Sequence, residues 1–263
     1  MKETFEKTSV LGVRVDLINL DELFQAVLLL VQDQGKTIIT YVNVHAVNIA
    51  YQLGWFKDFI NHSRVVFCDG YGIKWSAYFL RGKNLTRITS PDWFDLLAGK
   101  CEAAGISFFF LGTRPEVIEK VAVILKEKYP QLKIAGVQHG YFNKEATGSE
   151  NQSILARINS LHPDILVVGL GMPTQEKWIS ENLDNLQVKV VIPVGAMFDY
   201  FAGEVKRAPH WMTDNGLEWL GRLLIEPGRL WKRYVIGLPL FMWRVILHHI
   251  LGFPLPDEVT GLD

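Results

Sequence analysis

Short apolar runs rich in β-branched residues alternate along most of the chain with longer amphipathic segments. Six of the runs predict strands: TIITYV (37–42), RVVFCD (64–69), SFFFLG (107–112), KIAGVQ (133–138), DILVVGLG (164–171) and KVVIPVG (189–195). The segments between them have helical length and spacing. Because runs such as ILVVGL are apolar without alternation, both faces of the strands are expected to be buried. The pattern predicts an α/β fold, a Rossmann-like and mainly parallel sheet with helices on both faces.

The remaining segments refine this prediction. HAVNIAYQLGWFKDFINHS (45–63) predicts one helix after the first of the six strands. At the start of the chain, LGVRVDLIN (11–19) predicts a strand or hairpin, and DELFQAVLLLVQDQ (21–34) predicts a helix. We expect both to pack at one edge of the sheet.

The composition changes near residue 210. Of the 263 residues 49% are hydrophobic and the net charge is −1, as in ordinary globular proteins. Residues 211–263 nevertheless hold four of the eight tryptophans, and residues 219–253 carry a net charge of +4. We therefore predict two units: an α/β catalytic domain, residues 1–209, and a basic, aromatic, helical C-terminal appendage, residues 210–263.

The appendage is apolar as well as basic. Its longest uncharged stretch, Tyr234 to Trp243, has ten residues, whereas a membrane span needs about 20, so we expect no span. Tryptophans beside arginines and lysines favour an amphipathic helix on an anionic membrane surface. Alternatively, the helices dock on the domain or form a subunit interface in a homo-oligomer. The basic residues are too few and too interrupted to favour nucleic acid.

Two features bear on the compartment. Cys68 and Cys101 are the only cysteines and lack the spacing of metal ligands. The first ten residues, MKETFEKTSV, contain no apolar stretch of the signal-peptide type. We expect a protein of the reducing cytoplasm.

Polar residues follow the predicted strands, where ligands bind in such folds. Asp69 ends an apolar run and precedes Gly-Tyr-Gly, a position that suits a general base with a tuned pKa. Its alternative role is to cap the next helix. Asn43 can bind a sugar or ribose hydroxyl, or cap the helix after it. His45 can act as a base, although a histidine at a helix start is more often structural.

A second group of candidates lies later in the chain. GLGMPTQEKW (169–178) places glycines at a strand-to-helix turn, where amides can bind an anion and Gln175 is expected to face the ligand. A dinucleotide site is poorly supported, because the third glycine and the distal acid are missing. Lys206 and Arg207 suit phosphate recognition or a solvated loop. No two aspartates are separated by one residue, so we expect no metal ion and no cofactor.

Several blocks in order resemble the WecG/TagA/CpsF glycosyltransferases, glycosyltransferase family 26. They are FCDGYGIKW, FFFLGTRPEV, HGYF, VGLGMPTQEKW, FDYFAGEVKRAP and GLEWLGRLLIEPGRLWKRY. The resemblance implies inverting transfer of a sugar from a UDP-sugar donor to a polyprenyl-diphosphate-linked sugar, at the cytoplasmic membrane surface, for a bacterial surface polysaccharide. The best-known donors carry N-acetylmannosamine or its uronic acid, and other members transfer glucose.

The resemblance also assigns residues. It implies that Asp69 is catalytic, together with the appendage arginines Arg222 and Arg229. It implies substrate binding by Asn43, Gln175 and Arg233, and the positions at the strand ends add Tyr41, Gly112 and Gly171 to this set. Tyr41 stands where the family usually has threonine, and its larger ring narrows the sugar pocket. Ser90 replaces a usual glycine.

The proposed chemistry needs positively charged protein groups next to the departing diphosphate. A guanidinium binds phosphate with two parallel hydrogen bonds and keeps its charge, so arginines folded over the site would supply it. Two rival interpretations remain: an NAD-dependent dehydrogenase, and a noncatalytic membrane-binding module.

Overall fold

The computed structural model describes residues 5–251. A two-stranded antiparallel hairpin comes first, β1 (Lys7–Val10) and β2 (Val13–Asp16). Six further strands form the main sheet: β3 (Thr37–Val42), β4 (Val65–Cys68), β5 (Ser107–Gly112), β6 (Lys133–Gln138), β7 (Ile165–Gly169) and β8 (Val190–Pro193). Their order is β4-β3-β8-β7-β5-β6, and every neighbouring pair is parallel. The predicted α/β fold with a parallel sheet is confirmed.

Helices cover both faces of this sheet. In the first 209 residues they are α1 (Leu20–Gln32), α2 (Val44–Gln52), α3 (Gly54–His62), α4 (Tyr71–Arg81), α5 (Ser90–Ala104), α6 (Pro115–Lys128), α7 (Ser149–Leu161), α8 (Thr174–Asn182) and α9 (Met197–Phe201). A 3₁₀ turn, Leu183–Asn185, follows α8. Phe108 and Phe110 of β5 pack in one core cluster, and Phe109 and Leu111 pack in the other. Successive residues of a strand point to opposite faces, so the unbroken apolar runs serve two cores at once.

The hairpin lies beside the edge strand β4, as predicted. Asp16 Oδ2 accepts a hydrogen bond from the backbone N–H of Val66, 2.8 Å away. The same carboxylate binds the Arg14 guanidinium through two hydrogen bonds of 2.9 and 2.8 Å, and both side chains are buried. The edge of the sheet is therefore covered by a buried ion pair rather than left open to solvent.

Two helix predictions need correction. Helix α1 does not pack at the edge; Leu23 and Phe24 belong to the core cluster of one sheet face, where α1 meets α5. Its stripe of buried apolar residues needs an apolar face to cover. The single helix predicted for residues 45–63 is two helices, because Leu53 between α2 and α3 adopts an extended backbone.

The chain continues into helices after residue 209, as predicted. They are α10 (His210–Asp214), α11 (Glu218–Ile225), α12 (Pro227–Trp231), a π-helical turn (Lys232–Ile236) and α13 (Gly237–Leu251). Phe241 and Val245 of α13 are buried in the second core cluster. Asn48 of α2 donates to the Gly237 carbonyl at 2.7 Å and accepts from Arg244 at 2.7 Å. The inner face of the appendage therefore docks on the domain, which was one of the two alternatives. The boundary at residue 209 stays a prediction. Residues 1–4 and 252–263 of the two predicted units lie outside the described residues.

The C-terminal helices are longer and more apolar than the sequence analysis predicts. Residues Pro227–Leu251 form one continuous helical run of 25 residues that is long and apolar enough to cross a membrane, by length and composition alone. The ten uncharged residues from Tyr234 to Trp243 are too few for a span by themselves, but a membrane-spanning helix can contain a charge or two near its ends. Only 11% of its most apolar window is buried in the protein. One face is docked and most of the apolar surface remains open.

The buried ion pair of the hairpin generates the first prediction. Asp16→Ala should lower the free energy of unfolding by about 3–5 kcal/mol, because it leaves the buried Arg14 charge without its partner and frees the Val66 N–H. Urea unfolding followed by circular dichroism measures this. Glu127→Ala, which removes an exposed carboxylate on α6, should change stability by less than about 0.5 kcal/mol. Equal effects of the two substitutions would contradict this account.

Candidate functional site

Two adjoining cavities open where β3, β4, β7 and β8 end. The first, about 530 Å³, is lined by Tyr41 near the end of β3 and Asn43 after it, by Asp69 after β4, by the glycine loops after β7 and β8, and by arginines of the appendage. We call it the polar crevice. The second, about 240 Å³, has mostly apolar walls and lies between α4 and the appendage. We call it the apolar cavity. Both cavities therefore lie at the strand ends, where the sequence predicts ligand binding.

Divergence of two strands opens the polar crevice. The pairing of β3 with β8 extends over Thr37–Ile38 and Val190–Val191. Further along, Tyr41 of β3 and Val194, the residue directly after β8, both line the crevice. The chain after β8 turns at Gly195, whose φ of +59° is left-handed. A Cβ there would lie 2.8 Å from the Tyr41 hydroxyl, so the close approach of Tyr41 requires glycine.

Asp69 lines both cavities. Its backbone N–H donates to the Val42 carbonyl at 2.9 Å, which extends the β3–β4 pairing to the mouth of the site. Its side-chain Oδ2 accepts from Asn43 Nδ2 at 3.1 Å. Helix α4 begins after Gly70, and no side chain caps it. Asp69 is thus not the helix cap, and the carboxylate stands in the wall that the two cavities share.

Opposing influences act on the pKa of Asp69. Burial raises this pKa, and the nearby Glu218 carboxylate raises it further. The Asn43 hydrogen bond and the positive charges of Arg222 and Arg233 act in the opposite direction, and the net effect is a raised pKa. A carboxylate of this kind is a stronger base than an ordinary aspartate once it is ionised.

Asn43 takes the capping role and also contacts Asp69, while its binding of a sugar or ribose hydroxyl stays a prediction. Its Oδ1 caps α2 by accepting from the Ala46 N–H at 3.0 Å, while its Nδ2 holds Asp69. His45, on the first turn of α2, lines both cavities. Burial and, to a smaller extent, the positive charge of Arg233 lower the pKa of His45 to about 4. The imidazole is therefore neutral at pH 7.

The appendage brings three of the predicted arginines to the polar crevice: Arg222, Arg229 and Arg233. The Arg222 guanidinium lies 5.2 Å from the centre of the Tyr200 ring, and its buried Nε has no hydrogen-bond partner. Arg233 lines both cavities, and Arg229 pairs with Glu226 at the outer end. Arg222 is thus held by an aromatic face with donor capacity to spare.

The pair Arg87–Glu218 was not identified from sequence. Arg87 Nη1 donates to Glu218 Oε2 at 3.0 Å, and the Arg87 guanidinium also lies 4.8 Å from the centre of the Tyr71 ring. The pair joins the domain to the first turn of α11. The sequence shows only part of this arrangement: Glu218 and Arg222 are four residues apart, which predicts that both lie on one face of a helix.

Gln175 lies behind the crevice rather than facing a ligand. It is 0% exposed, and its Oε1 accepts from the Gly195 N–H at 2.9 Å. Its Nε2 donates to Glu176 Oε1 at 2.8 Å, while Glu176 Oε2 is buried without a partner. Burial raises the pKa of Glu176 to about 7. The sequence does not indicate this buried carboxyl, because burial of a side chain at a helix start leaves no local pattern.

The two predicted glycines differ in their surroundings. Gly171 lines the polar crevice with a φ of +79°, and a Cβ there would meet open space. At Gly112, a Cβ would lie 2.4 Å from the Gly169 carbonyl oxygen. Gly112 therefore serves the close approach of β5 and β7. Its neighbour Thr113 binds Asp199 through its hydroxyl, at the rim of a further cavity that shares Gly171 and Arg229 with the crevice.

The two basic residues predicted for phosphate recognition lie in different surroundings. Arg207 lines the polar crevice, whereas Lys206 is exposed. Among the side chains that the structure describes, no group of three or more His, Cys, Asp or Glu residues is placed to hold a metal ion. That the protein requires no metal stays a prediction. Both cysteines are buried thiols.

The chain is similar in sequence to proteins of a known family. The sequence profile of the Glycosyl transferase WecG/TagA/CpsF family matches residues 8–255. A relative from Bacillus subtilis strain 168 is 32% identical over 209 residues, which cover 80% of this chain and 78% of the relative. A relative from Staphylococcus aureus strain NCTC 8325 is 28% identical over 243 residues, covering 91% and 92%. Both relatives are named N-acetylglucosaminyldiphosphoundecaprenol N-acetyl-beta-D-mannosaminyltransferase.

The buried carboxyl of Glu176 generates the second prediction. Its folded pKa of about 7 exceeds the ordinary value of 4.5, so folding favours the protonated form, and this stability is lost as the pH rises through 7. Between pH 5 and pH 8 the protein should lose roughly 2 kcal/mol of unfolding free energy that Glu176→Gln does not lose. Urea unfolding at several pH values measures the difference.

A matched control lies on the same helix. Glu181→Gln replaces a more exposed carboxylate of α8 and should leave the pH dependence of the original protein unchanged. If Glu176→Gln shows that same pH dependence, the carboxyl is ionised in the folded protein and the account of its burial is wrong.

Proposed function

Because this chain belongs to the WecG/TagA/CpsF family of glycosyl transferases, we propose that it moves a sugar from a UDP-sugar to a sugar carried on polyprenyl diphosphate, with inversion. The named relatives favour N-acetylmannosamine as the transferred sugar and diphosphoundecaprenol-linked N-acetylglucosamine as the acceptor. The product would serve a bacterial surface polysaccharide. The uronic acid of N-acetylmannosamine, or glucose, would be transferred by the same mechanism.

One observation carries this proposal: Asp69 stands in the wall between a crevice lined by arginines and a cavity lined by apolar side chains. A nucleotide diphosphate is anionic and suits the first. A lipid-linked acceptor suits the second. A base between them reaches the acceptor hydroxyl on the side of the anomeric carbon away from the leaving group, as inversion requires.

The chemical step follows from this placement. Asp69 takes the proton of the acceptor hydroxyl while that oxygen forms a bond to the anomeric carbon. The bond from the anomeric carbon to the donor phosphate oxygen breaks, and its electron pair leaves with UDP. Negative charge therefore moves from Asp69 to the diphosphate, where donors that are already in place lower the barrier most.

Arginines of the appendage supply those donors. Arg222 has an unpartnered Nε and is held against Tyr200, so its position is set before substrate binds. Arg229 and Arg233 line the same crevice. In this proposal residues 1–209 form the catalytic domain and residues from 210 onward complete its site. The glycine turn at Gly171 leaves room for the donor beside them.

The appendage also suits a membrane surface. Its outer side exposes Leu224, Val235, Trp243 and Ile250, while Lys232 and Arg229 are exposed at the crevice end. Apolar side chains next to cations bind an interface that contains anionic lipids. We place the enzyme in the cytoplasm, peripheral on the inner face of the cell membrane, where the lipid-linked acceptor lies.

The third prediction tests the reaction and its base. A panel of UDP-sugars with N-acetylglucosaminyl-diphosphoundecaprenol should yield UDP and a heavier lipid, best with UDP-N-acetylmannosamine. Asp69→Asn should lower kcat by about 100-fold or more, and folding should be retained because the Asn43 hydrogen bond still finds an acceptor. Mass spectrometry of the lipid and UDP release measure turnover, and thermal unfolding measures stability.

Asp58→Asn, an exposed aspartate of α3, is the matched control and should keep full turnover. NAD reduction without UDP release would favour the dehydrogenase alternative. Full turnover by Asp69→Asn would eliminate the proposed base.

The fourth prediction concerns membrane binding. The protein should sediment with vesicles that contain about 30% phosphatidylglycerol and much less with pure phosphatidylcholine, and added salt should weaken binding. Leu224→Ser with Trp243→Ser should lower the partition coefficient by about tenfold or more, since both remove exposed apolar area. Val123→Ser, exposed on α6 of the domain, should bind like the original protein. Equal binding by all three proteins would place the membrane contact elsewhere.

A further inference from the structure

The apolar cavity has two unlike ends. Towards the catalytic domain it reaches five charged side chains, the carboxylates of Asp69 and Glu218 and the guanidinium groups of Arg87, Arg222 and Arg233. Its other walls are mostly aromatic and aliphatic. The Tyr71 and Trp75 rings of α4 lie 5.3 Å apart, and those of Trp219 and Tyr234 in the appendage lie 6.1 Å apart. The cavity is therefore charged at the catalytic end and apolar along the rest of its length.

The exposed lining residues mark where this cavity opens. Trp75 is 58% exposed and Met242 is 44% exposed, whereas the other residues of the lining are at most partly exposed. The Trp75 indole packs directly against Gly216 of the appendage, where a Cβ would lie only 2.9 Å from the ring. The opening thus lies between α4 and α13, on the side of the cavity away from Asp69.

The surface beyond the opening continues the apolar character. Tyr78 and Phe79 on α4 are exposed, as is Ile246 on α13. The Phe79 ring lies 4.2 Å from that of His249, so the two helices remain in contact further along. An apolar chain leaving the cavity meets apolar surface, and that surface adjoins the outer side of the appendage proposed to contact the membrane.

We infer that the apolar cavity holds the phosphate-proximal isoprene units of the acceptor, and that the rest of the polyprenyl chain leaves between Trp75 and Met242. This inference rests on the proposed function. The cavity volume of about 240 Å³ lies below the roughly 300–1,000 Å³ typical of sites that enclose a whole small molecule. A long chain must therefore continue outside. The acceptor diphosphate meets the arginines at the charged end, which Asp69 and Glu218 also line, and the methyl-branched alkene units pack on the aromatic walls.

The assignment gives the enzyme a means of recognising the lipid itself. Trp75 and Met242 then act as specificity residues for the isoprenoid, separate from the residues that carry out the transfer. Apolar contact with one isoprene unit, which contains five carbon atoms, stabilises binding enough to change affinity by tenfold or more. Acceptors that lack the isoprenoid should gain nothing from these side chains.

The experiment compares two acceptors in detergent, where vesicle binding plays no part. One carries N-acetylglucosaminyl diphosphate on a farnesyl chain, and the other carries it on a methyl group. Trp75→Ser and Met242→Ser should each lower kcat/KM for the farnesyl acceptor by about tenfold, through KM, and leave the methyl acceptor within about twofold. Trp55→Ser, a partly exposed tryptophan of α3 outside this cavity, should keep the farnesyl preference.

Binding of farnesyl diphosphate, measured by calorimetry, gives a readout independent of turnover. It should weaken by about tenfold in Trp75→Ser and remain unchanged in Trp55→Ser. Equal losses for both acceptors, or unchanged farnesyl binding in Trp75→Ser, would overturn the inference. If no UDP-sugar supports transfer by the unmodified protein, the proposed function fails, and the calorimetric comparison still decides what the cavity binds.

Discussion

The structure of the site depends on keeping one partly buried carboxylate ionisable beside groups that would suppress its charge. Burial and Glu218 both favour the protonated form of Asp69. Asn43 is the near neighbour that favours the charge from within the domain, while Arg222 and Arg233 come from the appendage. The base and the charge that balances it therefore belong to different parts of the chain, and the site is electrostatically incomplete until the appendage is docked.

Docking uses both apolar and polar contacts. Phe241 and Val245 enter a core cluster of the domain, and Arg244 packs 3.9 Å from the centre of the Tyr51 ring. The Arg87–Glu218 pair fixes the first turn of α11 close to Asp69. Glu218 consequently holds the appendage in place and raises the pKa of the base. A change in the position of α11 would alter both the arginine cluster and the basicity of Asp69.

The sequence predicted the elements whose signal is local. All six strands of the main sheet occur where the apolar runs predict them. Asp69 and Asn43 directly follow two of these strands, at the edge where parallel sheets bind their ligands. Residues that depend on tertiary contacts were harder to predict. Gln175 reaches back to the Gly195 loop, and Glu176 is buried beside it. Nothing within a few residues of either one shows which way it points.

The appendage shows why composition alone left two interpretations open. A helix rich in arginine, tryptophan and leucine can bind a membrane or dock on a protein, and its composition is the same in both cases. The structure separates the two roles by face: Phe241 is buried on the domain while Trp243, two residues later, is exposed. Because the docked face positions the arginines and the open face is available to lipid, a single helix can join the site to the surface where a lipid-linked substrate would be found. Disrupting either face should then affect turnover by a different route, one through the charge around Asp69 and the other through access to the acceptor.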